Sequence, residues 1–182
     1  MNDLVPDVVD VVPAGILQVI YPGSLAVNLG KELTPTQVKD KPTVTWESLV
    51  GENEDVSNQY YTLLMVDPDA PSRSEPTYRE ILHWAKINIP ADAPKEGQVL
   101  AEYIGSGPPK GTGLHRYIFL LYQQRGKIQD SLYIGKTIRE GRLNFSARKF
   151  AGKHGLGAPV AANFYVAQYD DYVPIRNKEF TG

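Results

Sequence analysis

A chain of 182 residues is long enough to bury one continuous core, and the absence of cysteine excludes disulfides, thiol nucleophiles and thiolate metal sites. Its composition, 42% hydrophobic and 22% charged, excludes a disordered polypeptide; 19 basic against 21 acidic residues leave no field that would draw it onto nucleic acid. One domain over residues 1–182 is expected, with no cofactor and no metal, as a monomer.

In chain order, the opening Met1-Asn2-Asp3-Leu4-Val5-Pro6-Asp7 lacks the basic start of a signal peptide. No apolar run approaches the ~18 residues of a membrane span. A cytoplasmic protein with at most peripheral membrane contact is the expectation, unconventional secretion remaining open. Runs rich in β-branched and aromatic residues predict strands at 17–21, 44–50, 60–66, 82–89, 98–104, 115–123 and 163–168. Thr34-Pro35-Thr36-Gln37 has the residues of a capping box around one helical turn. Residues 60–66 and 117–122 are almost wholly apolar and should be central strands covered on both faces. Residues 82–89 alternate, which places His83, Ala85, Ile87 and Ile89 on one face. The main helix is predicted where Leu143, Ala147, Phe150 and Ala151 recur at helical spacing, ended by Gly155 and Gly157. Strands punctuated by Gly and Pro predict a mostly β, two-sheet sandwich.

Two segments carry the chemistry. Asp67-Pro68-Asp69-Ala70-Pro71-Ser72-Arg73 ends an apolar strand with two carboxylates held by rigid prolines. Gly105-Ser106-Gly107-Pro108-Pro109-Lys110-Gly111-Thr112-Gly113-Leu114-His115-Arg116-Tyr117 leads into another, and its glycines can turn backbone N–H groups toward an anion. Taken alone, the first also fits a strand-ending turn and the second a long structural loop. His83 begins a predicted strand, and His115 and Tyr117, two apart, share a strand face. Imidazoles, a phenol and glycine N–H groups favour a phosphate. Two carboxylates beside them favour a zwitterion such as a phosphoethanolamine head group. The basic stretch 136–153 reads as a solvated helix face, with contact to anionic lipid or an acidic partner as the alternative.

Together these segments resemble the paired signature of the phosphatidylethanolamine-binding protein family, its animal, Raf kinase inhibitor protein-like branch being the most similar. Leu33-Thr34-Pro35-Thr36-Gln37-Val38, Tyr78-Arg79-Glu80, Ala158-Pro159-Val160-Ala161 and Asp170-Asp171-Tyr172-Val173-Pro174 extend the likeness in family order. The resemblance implies an antiparallel two-sheet β-sandwich with Greek-key connections and a few peripheral helices. It also implies one pocket for anions and phospholipid head groups, contacted by Asp67, Asp69, Pro71, His83, Gly107, Pro109, His115 and Tyr117. Cis geometry is implied at Ala70-Pro71 and Arg79-Glu80. Partners implied are a phospholipid head group or small phosphorylated ligand and a protein kinase or serine protease. The chain departs from many animal members at Ile81 and Leu82, which replace an aromatic residue and a histidine at the expected mouth. It departs again at the tail after Pro174, and at Lys149, where kinase-inhibiting members often carry a regulatory serine.

The expected function is therefore binding and regulation without catalysis. The alternatives are a serine-protease inhibitor or extracellular ligand carrier, with 92–97 and 125–134 as candidate exposed loops, and a phosphoester hydrolase using His83 or His115 as base. The hydrolase lacks a nucleophile, since Ser72 and Ser106 have no strand-turn-helix context.

Overall fold

The apolar run that ends at Asp67 and the one that starts at His115 become neighbouring strands, and that pairing sets the position of everything functional. The structure is a computed structural model describing residues 1–46 and 55–181. Among the described residues the strands are β1 (Gly15–Ile16), β2 (Gln18–Tyr21), β3 (Leu25–Ala26), β4 (Thr43–Thr45), β5 (Tyr60–Asp67), β6 (Ile81–Pro90), β7 (Gln98–Ala101), β8 (His115–Gln124) and β9 (Ala161–Ala167). The helices include α1 (Ala147–His154) and α2 (Val173–Asn177). One sheet has the order β1-β9-β8-β5-β6-β7 and the other β3-β2-β4. The predicted strand at 44–50 is seen only in its first part; residues 47–50 lie outside the described residues.

β5 and β8 are central in the larger sheet, as their unbroken apolar sequence requires. Alternation along β8 sends Tyr117, Phe119 and Leu121 toward the smaller sheet, where they meet Val19, Tyr21 and Val44. Ile118, Leu120 and Tyr122 face the other way, under Leu4, Val8 and Val9 of the N-terminal segment and Ala147, Phe150 and Ala151 of α1. Apart from Tyr60 and Gln123 at one end, every residue of these two strands is buried. β5, β6 and β7 run consecutively and β8 returns beside β5, the strand path of a Greek key.

Several sequence expectations are revised. The larger sheet is not wholly antiparallel, because β1 joins β9 in parallel, and the chain then crosses to the smaller sheet at Leu17. Residues 98–104 do not form one strand. The ladder stops at Ala101, after which the Glu102 N–H turns to the Ile134 carbonyl. Strict alternation in β6 also fails: Val66 pairs Leu82 while Met65 pairs Trp84, so a bulge absorbs His83. A second irregularity follows opposite Thr62. Ala85 and Ile87 consequently pack on the α1 side, whereas Trp84 and Ile89 pack between the sheets.

The late helix is shorter than its periodicity predicts. Ser146 caps it by accepting from the Lys149 N–H, and Gly155, at φ 63°, ends it in the left-handed region. Arg142 and Leu143 precede it outside the helix, Leu143 in a turn with Asn144. At Thr34 both capping-box hydrogen bonds form, the Thr34 N–H to Gln37 at 2.9 Å and the Gln37 N–H to the Thr34 hydroxyl at 3.2 Å, around a turn.

Asn163 stitches the layers. Its buried amide donates to the Leu17 and Val27 carbonyls and accepts from the Leu29 N–H. Asn163→Ala removes the partner of three backbone groups, and a loss of about 2 kcal/mol in urea unfolding is expected. A variant matching the parent would show that water replaces the amide without loss.

Candidate functional site

The antiparallel register of β5 and β8 runs from Tyr60↔Gln124 to Val66↔Ile118, so Asp67 at the end of one strand meets His115 at the start of the other. The His115 Nδ1 lies 2.9 Å from the Asp67 carboxylate, and both residues are buried. On the other side of the ring, Nε2 is 2.8 Å from the Thr112 hydroxyl, whose single proton goes to the Pro109 carbonyl at 2.7 Å. A hydrogen lies between Nδ1 and the Asp67 carboxylate, since two lone pairs would otherwise face each other. Burial pushes the Asp67 carboxyl above its ordinary range, which suits a shared proton.

A cavity of about 190 Å³ opens over this pair. Its walls include Asp67, Ala70, Pro71, Ile81, His83, Gly107, Pro109, His115 and Tyr117. The rings are ordered by stacking: His115 lies parallel to Tyr117 at 6.4 Å, Tyr117 to Tyr165 at 5.2 Å, and His83 stands edge-on to Tyr117 at 5.2 Å. The bulge in β6 brings His83 to this side. Its Nδ1–H donates to the Ile104 carbonyl at 3.0 Å, leaving Nε2 an acceptor. Burial, aided by the nearby Arg176 charge, lowers the His83 imidazole to about 3, so it is neutral at physiological pH. The Ala70-Pro71 and Arg79-Glu80 bonds are both cis, as the resemblance implies.

Of the eight residues singled out from the sequence, seven line this cavity and Asp69 does not. β5 ends at Asp67 and a turn at Pro68 and Asp69 carries the second carboxylate away. Asp69 accepts from the Arg116 N–H and Nε at 2.9 Å and from its Nη2 at 2.8 Å, and meets Arg79 at 3.5 Å. Arg116 and Arg79 also bind Asp7 of the N-terminal segment. These guanidiniums hold the Asp69 and Asp7 carboxyls below their usual range. The expectation of a zwitterion rested on two available carboxylates. One is bound to His115 and the other to Arg116. The expected glycine nest is also absent from the walls, because Gly111 and Gly113 adopt φ 82° and 76° in the exposed turn before β8 and only Gly107 of the loop's glycines reaches the cavity.

Arginines, not glycine N–H groups, supply the donors at this cavity. Arg139, Arg142 and Arg176 all line the cavity. Arg142, read from the sequence as part of a solvated helix face, is buried. It donates to the carbonyls of Ile138, Leu82, Glu102 and Gly135 at 2.8–3.1 Å, and burial lowers it to about 10. Arg176, Asn177 and Phe180 come from the tail, which closes one side of the mouth. The alteration expected at the mouth falls on Ile81 alone, since Leu82 points to the opposite face of the sheet. The only sequence signal for Arg139 and Arg142 is the basic stretch 136–153, which does not reach Arg176. Among the described residues no cluster of three or more His, Cys, Asp or Glu side chains comes together to hold a metal ion.

The family model described as phosphatidylethanolamine-binding protein matches residues 23–165. The chain belongs to this family. Its relatives include the Drosophila melanogaster protein named "Putative odorant-binding protein A5", 36% identical over 181 residues that cover 99% of this chain and 83% of that one. The solution structure of CG7054 is 62% identical, covers each chain completely and superposes with a TM-score of 0.79. The crystal structure of carboxypeptidase Y inhibitor complexed with the cognate proteinase is 30% identical over 87% of this chain and 85% of that one, with a TM-score of 0.69. The mostly β, two-sheet architecture is that of the phosphatidylethanolamine-binding protein fold.

Proposed function

We propose that this chain is a non-catalytic binding and regulatory protein whose cavity seats the phosphoryl group of a phosphorylated head group. In this reading the surface around the mouth presents the site to a protein partner, a kinase or a protease. The observation that carries it is the set of three arginines lining one cavity, beside two imidazoles and a phenol, with both nearby carboxylates already bound. Guanidiniums with no carboxylate partner among the described residues, in a partly desolvated cleft, favour an anion, and phosphate oxygens suit guanidinium donors. A neutral His83 Nε2 accepts from a protonated phosphate oxygen, or takes up a proton when a dianion arrives. Binding without turnover is favoured because the neighbouring hydroxyls are engaged: Ser106 with Tyr165 at 2.5 Å, Thr112 with Pro109, and Ser72 with Ser74 at 3.2 Å.

Titration with phosphoethanolamine or phosphotyrosine is expected to give saturable shifts of the His83 and His115 imidazole resonances. His115→Ala is expected to weaken binding by about tenfold or more, the worth of a hydrogen bond to a charged group. No shift at either histidine would sink the reading. Steady hydrolysis of a phosphoester, lost in the same variant, would replace it with a catalytic one.

A second reading, protease inhibition, draws on the similarity to carboxypeptidase Y inhibitor. Dose-dependent inhibition of a serine carboxypeptidase would support it.

A further inference from the structure

Arg176 is the cavity's arginine with both charge and donors available. Its Nε–H donates to the Gly105 carbonyl at 3.0 Å and its Nη1 to the Asn177 side chain at 2.9 Å. The guanidinium lies 4.8 Å over the Phe180 ring, and among the described residues no carboxylate pairs with it. Nη2 is left to a ligand. Arg142 differs, since four carbonyls already surround it. Arg139 differs in the other direction: it is exposed, so water screens its charge.

The approach of Arg176 is specifically accommodated. A Cβ on Gly107 would sit 1.9 Å from Nη1 and 2.4 Å from Cζ, so the guanidinium packs against a bare Cα on the cavity wall. The arginine is carried by α2, and the chain beyond that helix is fixed by Thr181, whose N–H donates to the Thr137 carbonyl at 2.8 Å. The 137–142 segment contains both other cavity arginines, so the tail and that segment bring all three cations to one wall.

Asp67 is hydrogen-bonded to His115 and Asp69 to Arg116, and among the described residues no carboxylate forms an ion pair with these three cations. A singly charged ligand leaves most of that charge in place, whereas a doubly charged one removes more of it and gives Arg176 a second oxygen to bind. We propose that Arg176 is the specificity-determining residue by which the cavity selects a dianionic phosphomonoester over a monoanionic phosphodiester. This rests on the phosphoryl-binding reading above. The inference concerns the ligand's charge and esterification, so a free phosphorylated metabolite or a phosphorylated side chain fits better than an intact diester phospholipid.

Calorimetric titration with O-phosphoethanolamine and glycerophosphoethanolamine at pH 8 isolates the difference, because both carry the same ammonium. The wild type is expected to bind the monoester about tenfold more tightly, the order of one hydrogen bond between charged groups. Arg176→Leu is expected to lose most of that preference and Arg176→Lys to keep part of it. Gly107→Ala, which pushes the guanidinium from the wall while leaving its charge in the protein, is expected to act in the same direction as Arg176→Leu. Lowering the pH through the second phosphate ionisation near ~6 should erase the wild-type preference. Equal binding of the two probes by the wild type, or an undiminished preference in Arg176→Leu, overturns the inference while leaving phosphoryl binding intact. If neither probe binds the wild type, the phosphoryl reading itself falls, and the inference with it.

Discussion

Asp69→Ala is expected to lower the stability of the protein by about 4 kcal/mol, the range found when one partner of a buried ion pair is removed. The carboxylate is fully buried and receives three hydrogen bonds from Arg116, itself buried at 2% exposure. Its removal leaves the Arg116 guanidinium with the Asp3 carbonyl at 2.6 Å and with Asp7, which is about one-third exposed and therefore a weaker partner. The variant's urea midpoint should fall with an unchanged slope. The same experiment separates two roles for this residue, since the resemblance assigns Asp69 to the ligand and the geometry assigns it to the frame. A variant as stable as the parent but unable to bind phosphoethanolamine would return Asp69 to the binding site. The pH dependence offers a second measurement. Asp69 and Asp7 have lowered folded-state values, so their contribution is present above the ordinary carboxylate range and is lost as pH falls through those lowered values. Much of the acid limb of the wild-type stability profile should disappear in Asp69→Ala.

That buried frame explains what was and was not legible in the sequence. Asp67, His115 and Tyr117 were recoverable because they sit at strand ends, where a short apolar run and its flanking Pro or Gly mark the position without knowledge of the rest. Pairing of β5 with β8 then needs only antiparallel register to bring them together. Asp69 is two residues from Asp67, and an extended strand would have placed both carboxylates on one face. The turn at Pro68 and Asp69 breaks that rule, and the burial of Arg116 is what draws the carboxylate the other way. His83 was placed on the face of Ala85 and Ile87 by simple alternation, which a bulge overturns; no local residue pattern in β6 announces it. The arginines were the hardest to see. Arg142 lies in a basic stretch that reads as a wet surface and Arg176 in a tail without a binding motif, and their placement comes from long-range contacts: carbonyls of Leu82 and Glu102 for one, Gly105 and the bare wall of Gly107 for the other. Periodicity even pointed the wrong way, since it extended the helix back over Leu143 and put Arg142 on a wet face. The ligand's expected charge changed with these placements, from a zwitterion to an anion.

Glu80→Gln is expected to make the protein more stable than the wild type above pH 7, by up to about 3 kcal/mol, and to change little near pH 4.5. Glu80 is 5% exposed, and burial raises its carboxyl from 4.5 to about 7 despite the opposing pull of Arg148 and Arg79. A raised acid stabilises the fold most when it is protonated. Its contribution is therefore complete below pH 4.5, declines as pH rises, and is lost beyond about 7, where the folded state must hold a buried charge. This runs opposite to Asp69 and Asp7, whose contribution appears only at higher pH, so these two effects balance between 3.8 and 4.5, at about pH 4. Glutamine keeps a carbonyl oxygen for the Ala147 N–H, which Glu80 receives at 2.9 Å at the start of α1, and removes the ionisation. Urea unfolding at pH 5 and pH 8 measures the difference, and an alkaline limb that is unchanged in Glu80→Gln would show that another group governs it. The ionisation bears on the cavity as well. Glu80 and Phe145 exchange both backbone hydrogen bonds at 2.9 Å, and the Arg142 carbonyl receives the Leu82 N–H at 2.8 Å. Charging Glu80 is therefore expected to loosen the segment that holds Arg142 and Leu143 at the cavity wall. Amide exchange at Phe145 and Ala147 should quicken between pH 5 and pH 8 beyond the intrinsic base-catalysed increase, and that excess should vanish in the glutamine variant.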